Sequence, residues 1–337
     1  MKIKTHWMVF GGLLLVGGGS SVALLLAQDA APAAPPAAAQ APGAPAGRGG
    51  GGGGGGGRPA QATAWAQKPL TAPGWTAPNK PIWKLADILA AHKGKSAWTE
   101  TVVSDQLLHA DYISMAPGEK TLAHFNADNR DTFIVQDGQI KFTIEGQEPF
   151  VAGKGFMVDV PYRNIYSMET VGDKPALRLE VTVANSRYDY PSDVTPPAIA
   201  GFEFVKVTIA GKGKYENGNI PFLDFNDVIA GKVRANNFVK DDRYVVNILR
   251  GRGQSDPGPA TNGHFHESSS EFWYIMEGQV RYTIETQPTF VADQGDIVYA
   301  PKFMWHLASL AGDGMSTRIP INGYVDLGHH YMARGGR

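Results

Sequence analysis

GPATNGHFHESSSEFWYIMEG, residues 258–278, and GDIVYAPKFMWH, residues 295–306, decide how this chain folds. The first stretch sets His264 and His266 two residues apart. Side chains alternate across a strand, so the two imidazoles leave one face and Phe265 leaves the other. Glu271 follows the Ser268-Ser269-Ser270 turn and opens the next strand, while His306 returns from a strand 35 residues later. Glu267 sits one residue past His266 and is expected to point away. Three neutral imidazole nitrogens and one carboxylate form a donor set for a divalent transition metal, with coordination positions to spare.

This spacing resembles the two cupin motifs, G-x5-H-x-H-x3,4-E-x6-G and G-x5-P-x-G-x2-H. Gly258, His264, His266, Glu271 and Gly278 meet every fixed position of the first. Gly295, Pro301 and His306 match the second, in which Phe303 replaces the inner glycine. The resemblance implies a small antiparallel barrel, a jelly-roll-like double-stranded β-helix, with a metal in its mouth. It implies a range of chemistries rather than one.

Sliding the chain along itself shows an internal duplication at an offset of 140 residues. PIWKLADILA at 81–90 lies over PFLDFNDVIA at 221–230. His124-Phe125 then falls on His264-Phe265, Gly138-Gln139 on Gly278-Gln279, Gly155 on Gly295, Pro161 on Pro301 and Arg178 on Arg318. Short β-rich runs at 140–144, 157–160, 280–284 and 297–300 read as barrel strands. Helical spacing at 85–92 and 225–233 predicts one short helix before each barrel. The fold class is therefore all-β, two tandem barrels, and the resemblance becomes one to bicupins. The expected division is an N-terminal barrel at 80–190, a proline-rich link at 191–198, a C-terminal barrel at 201–325 and a flexible tail at 326–337.

What precedes the barrels is of a different kind. Lys2 and Lys4 introduce an uncharged run from Trp7 to Gln28, the pattern of a secretory signal over residues 1–27 or, if uncleaved, of a membrane anchor. Residues 28–79 are rich in Ala, Pro and Gly, with nine consecutive glycines at 49–57. Such a stretch buries too little to offset its ordering entropy and is expected to be a disordered tether. The protein is accordingly expected to be exported, periplasmic or secreted, and to meet a membrane only through that first segment. A formal charge of -1 without a basic run in the folded part argues against a nucleic-acid partner. With no cysteine, disulfides, thiolate ligands and a cysteine nucleophile are excluded.

The duplication supplies an internal control. Where the second half has His264, His266, Glu271 and His306, the first has His124, Asn126, Asp131 and Tyr166. Asn is a weak transition-metal ligand and Tyr ligates mainly ferric iron, so this earlier site is expected to be a metal-free, buried, hydrogen-bonded cluster. His92 and His109 read as ordinary structural histidines. His329 and His330 fall in the tail, where they are expected to bind metal only adventitiously. Around the second site the chain is aromatic. Alternation from Glu271 turns Trp273 and Ile275 toward the metal, and counting back from His306 adds Met304. Tyr282 and Tyr299 are further pocket candidates on strands whose parity the sequence leaves open.

By resemblance to flavonol dioxygenases of the cupin family, His264, His266 and His306 would hold one divalent transition metal per chain. Fe(II) is favoured, with Mn, Ni, Cu or Zn as alternatives, and Glu271 would serve as ligand and base. The implied activity is a quercetinase-like dioxygenase acting on an aromatic or enolisable small molecule. Two other classes remain open: a non-redox isomerase, lyase, decarboxylase or hydrolase, and a non-catalytic small-molecule-binding cupin. A homodimer is compatible with the family resemblance.

Overall fold

A computed structural model describes residues 64–254, 263–323 and 330–331. Expectations for the signal segment and the glycine run, like that for His329, lie outside the described residues. Among the described residues no helix is long and apolar enough to cross a membrane.

The chain is all-β, and its named strands pair antiparallel in two barrels built alike. The larger sheet of the first runs Phe222–Asp224, Phe156–Val160, Asp131–Asp137, Ala176–Val183, Leu108–Met115, Trp98–Ser104. Facing it are Phe150–Ala152, Ile140–Ile144 and Tyr166–Thr170. A bridge between His124 and Tyr166 brings in the pair Phe125–Asn126 and Tyr188–Asp189. The second barrel repeats the plan with Ile82–Trp83, Ile297–Ala300, Glu271–Glu277, Met315–Gly323, Tyr244–Val246 and Val239–Lys240. Its facing sheet is Phe290–Asp293, Gln279–Ile284, His306–Ala311, His264–Phe265 and His330–Tyr331.

Strand alternation divides the apolar side chains into three cores. Phe133, Val135, Phe142 and Met168 fill the first barrel, and Trp273, Ile275, Tyr282 and Val298 fill the second. The outward faces of the two large sheets meet in a third core, where Tyr112, Ile134 and Leu179 pack with Phe272, Tyr274 and Ile319. Glu271, Trp273 and Ile275 therefore point into the second barrel, while Phe272 and Tyr274 between them point at the first.

The segment before each barrel joins the other one. Ile82–Trp83 pairs with Val298 and Ile297 in the second barrel, and Phe222–Asp224 pairs with Val158 to Phe156 in the first. The predicted helices follow these strands as Leu85–Ala91 and Phe225–Ile229. Each docks beside a glycine of the barrel it has crossed to. A side chain at Gly295 would run its Cβ into a methyl of Leu85, and the backbone N–H of Phe225 donates to the Gly155 carbonyl at 3.2 Å. Asp296 accepts from the first helical N–H, that of Leu85, at 3.0 Å, and so caps the helix from across the barrel boundary.

Candidate metal centre

Four elements of the second barrel bring the motif residues together. His264 opens its short strand opposite His306, its register partner, His266 follows in the loop that leaves that strand, and Glu271 opens the next strand, in the larger sheet. The Oε2 of Glu271 lies 2.9 Å from His266 Nε2, 3.1 Å from His306 Nε2 and 3.9 Å from His264 Nε2. One ligand atom from each of the four residues falls within 4.8 Å of the others. The side chains of His266 and His306 are 2% and 1% exposed, whereas His264 is 15% exposed and marks the open side.

The turn before His306 holds despite Phe303. That residue adopts the left-handed backbone, φ 67°, that the motif's glycine would take, and its N–H donates to the His266 carbonyl at 2.8 Å. Arg163 does the same one repeat earlier, with φ 59° and a 2.7 Å bond to the Asn126 carbonyl. In both barrels this bond ties the returning strand to the ligand strand.

Donor chemistry fits a cation. His306 Nδ1 lies 2.9 Å from the Met304 carbonyl, which only accepts, so Nδ1 carries the proton. In its metal-ligating form the ring directs its Nε2 lone pair toward a carboxylate oxygen 3.1 Å away. Two acceptors then face each other, an arrangement that a bound cation between them satisfies. Burial pushes the Glu271 carboxyl up, but the surrounding imidazoles outweigh it and hold the group well below the ordinary carboxylate range. Burial lowers His264 to about 4, against the raising effect of Glu271, and so favours the neutral, ligating ring.

Trp273, Ile275, Tyr282 and Met304 lie in the barrel interior. The Trp273 ring centroid is 5.0 Å from that of His306 and 5.1 Å from that of Tyr282. Tyr299 does not belong to this wall. Its neighbours Val298 and Ala300 point inward, so Tyr299 faces the core between the barrels, where its hydroxyl donates to Asp105 at 3.0 Å. Glu267 stays out of the quartet and lies 3.7 Å from His330. The tail contributes more than expected: His330–Tyr331 pairs with His264–Phe265, and the Tyr331 ring sits 5.0 Å from that of His264.

In the first barrel the corresponding groups engage one another. The Asn126 amide donates to one oxygen of Asp131, and the Tyr166 hydroxyl donates to the other at 2.8 Å. His124 turns its Nδ1 to the Leu122 carbonyl at 2.6 Å and packs against Tyr166 and Tyr188. Sequence reading missed the rest of this network, in which Arg178 binds Glu180, Tyr188 donates to Glu180, and Ser186 donates to Asn126. The match of Arg178 to Arg318 was the available signal. Among the described residues, the second-barrel quartet is the only His and carboxylate group with metal-ligand spacing. His92 stacks on Trp98 and meets Glu100, and His109 meets Asp111.

Residues 253–320 match the family model described as the Cupin domain. No curated protein matches the sequence. Among solved structures, a salicylate 1,2-dioxygenase variant from Pseudoaminobacter salicylatoxidans, in complex with gentisate, has a TM-score of 0.51 and 12% identity, over 72% of this chain and 81% of that one. A Cupin 2 conserved barrel domain protein from Leptotrichia buccalis has a TM-score of 0.50 and 12% identity, over 72% of this chain and 95% of that one. The second barrel thus contains the stretch that matches a cupin domain, and the two barrels together have the tandem bicupin fold.

Proposed function

We propose that this protein is an exported, metal-dependent dioxygenase that acts on an aromatic or enolisable small molecule in its second barrel, with Fe(II) as the favoured ion. The observation that carries this reading is the buried quartet: three imidazoles and one carboxylate with an open side at His264. The fold shared with salicylate 1,2-dioxygenase lends the reaction class, and the N-terminal sequence pattern lends the export.

When bound, the ion supplies Lewis acidity and a route for electrons between an organic substrate and dioxygen. The protein's own residues do the rest. His264, His266 and His306 hold the site, and Met304 fixes the His306 ring by accepting from its Nδ1. Glu271, kept ionised by its imidazole neighbours, takes the hydroxyl proton of the incoming substrate. Trp273, Ile275 and Met304 keep water from the inner wall.

Oxygen consumption by protein loaded with Fe, Mn, Ni or Cu, against a panel of enolisable phenols, tests the reading. Uptake that depends on both metal and phenol is expected. Turnover that proceeds unchanged under nitrogen overturns it in favour of non-redox chemistry.

A further inference from the structure

Two neighbouring strands flank His264, and together they set three rings in one row across the sheet. His264 is the register partner of His306 on one side and of Tyr331 on the other. Directly opposed residues of an antiparallel pair share a face. Since His264 and His306 face the barrel interior, Tyr331 lies on that same face, next in line after two of the quartet. Its ring centroid is 5.0 Å from that of His264, with the planes tilted by 46°. This is also the open side: the His264 side chain is 15% exposed and Tyr331 is 61% exposed.

The first barrel contains the same row. His124 bridges to Tyr166, and the register of Tyr188 with Asn126 and of Asp189 with Phe125 brings Tyr190 opposite His124, their rings 6.4 Å apart. The 140-residue offset lays Tyr190 over His330, so the equivalence of the two tyrosines shows only in the strand pairing. What lies outside them differs. Tyr190 is half-buried and meets the edge of Phe204, from the stretch leading to the second barrel, at 5.6 Å. Tyr331 faces solvent.

The tail strand is held by two residues of the motif segment that are not in the quartet. Phe265 stacks on His330, with centroids 5.1 Å apart and planes at 18°, and Glu267 lies 3.7 Å from His330. Phe265 and Glu267 alternate with His264 and His266, so the segment that supplies two ligands also anchors the tail. A strand of two residues has few contacts to break and opens locally at small cost.

We propose that Tyr331 is the entrance residue of the metal centre: it walls the His264 side, and ions or ligands from solvent reach the centre past its ring. This deepens the proposed function by naming the residue that governs access, and it rests on the metal centre rather than on the dioxygenase chemistry. A wall of this kind changes rates and leaves affinity alone, because it is crossed both on the way in and on the way out.

Full-length protein carrying one equivalent of Zn(II) is mixed with excess 4-(2-pyridylazo)resorcinol, and transfer of the ion is followed by absorbance. Tyr331→Ala should release and take up the ion about tenfold faster, with a dissociation constant within about twofold of the parent. Tyr331→Phe, which keeps the ring, should behave as the parent does. In the metal-free protein, ending the chain at residue 325 should speed amide hydrogen exchange at residues 264 and 265, where the tail pairs. Release at the parental rate from Tyr331→Ala would overturn the inference. So would faster release matched by an equal loss of affinity, the mark of a residue that supports the ligands instead, or unchanged hydrogen exchange in the shortened chain. Neither measurement uses substrate or oxygen. A protein that exchanges Zn(II) as expected but consumes no oxygen keeps its entrance residue and loses only the dioxygenase reading.

Discussion

Asp131 and Glu271 occupy the same place in two copies of one barrel, and their carboxyls are driven in opposite directions. Both are pushed up by burial. Asp131 stays well above its ordinary range, because Glu180 adds a second negative charge and the bonds from Tyr166 and Asn126 do not outweigh the two. Glu271 ends well below, because three imidazoles surround it. The first barrel answers its buried acid with donors of its own, Asn126 and Tyr166. The second leaves lone pairs converging on one point, a state completed by a cation. Metal competence here is a matter of how the interior charge is balanced, since the backbone, down to the left-handed residue before the returning strand, is common to both.

The sharpest way to break this comparison is to remove a ligand. His306→Ala should leave no stoichiometric metal after dialysis, as read by elemental analysis, and should lower oxygen uptake by about a thousandfold or more. Tyr166→Ala, its counterpart, should leave metal content untouched. Next, Glu271→Gln should keep much of the metal and the fold but lower turnover by about 10²- to 10⁴-fold, measured on the same metal-normalised samples. A variant that turns over as well as the parent points to a binding role instead.

A third test concerns stability. Arg130 in the first barrel donates to Asp159 at 2.9 Å, to Asp241 at 2.6 Å and to the Lys214 carbonyl, all with a side chain 6% exposed. Its counterpart Ser270 donates to Asp105. Arg130→Met should cost about 3–5 kcal/mol in urea unfolding, because it strands buried carboxylates. Ser270→Ala should cost about 1 kcal/mol.

The last test is the pH dependence of Asp131. Its native pKa is raised, so the folded protein keeps a proton that the unfolded chain releases. That stabilisation is complete below the unfolded pKa of about 4 and is lost as pH rises through the native value. Relative to Asp131→Asn, the parent should lose stability as pH rises above about 4, by no more than about 1.4 kcal/mol per pH unit. Urea midpoints across that rise check the sign.

The second barrel was legible because its signal is short-range: two imidazoles on one strand face, a carboxylate at the next strand start and a histidine after a proline turn. The same alternation placed Trp273 and Ile275 correctly from Glu271. Tyr299 escaped it, since its strand carries no ligand to fix which face is inward. The tail reading passed over Tyr331 because a two-residue strand leaves no periodicity among glycines. Nor did 81–90 and 221–230 reveal that they cross over, because a strand of two or three residues encodes no preference between two similar edges.

That crossing has a consequence for how the molecule is made and kept. The first barrel gains its edge strand only once residues 222–224 have been synthesised, and residues 82–83 gain their partners only once 297–298 have been. Severing the chain at 191–198 would leave each half holding a piece of its neighbour. The later copy thus keeps a physical need for the earlier one that is independent of the lost ligands, since its sheet edge comes from there.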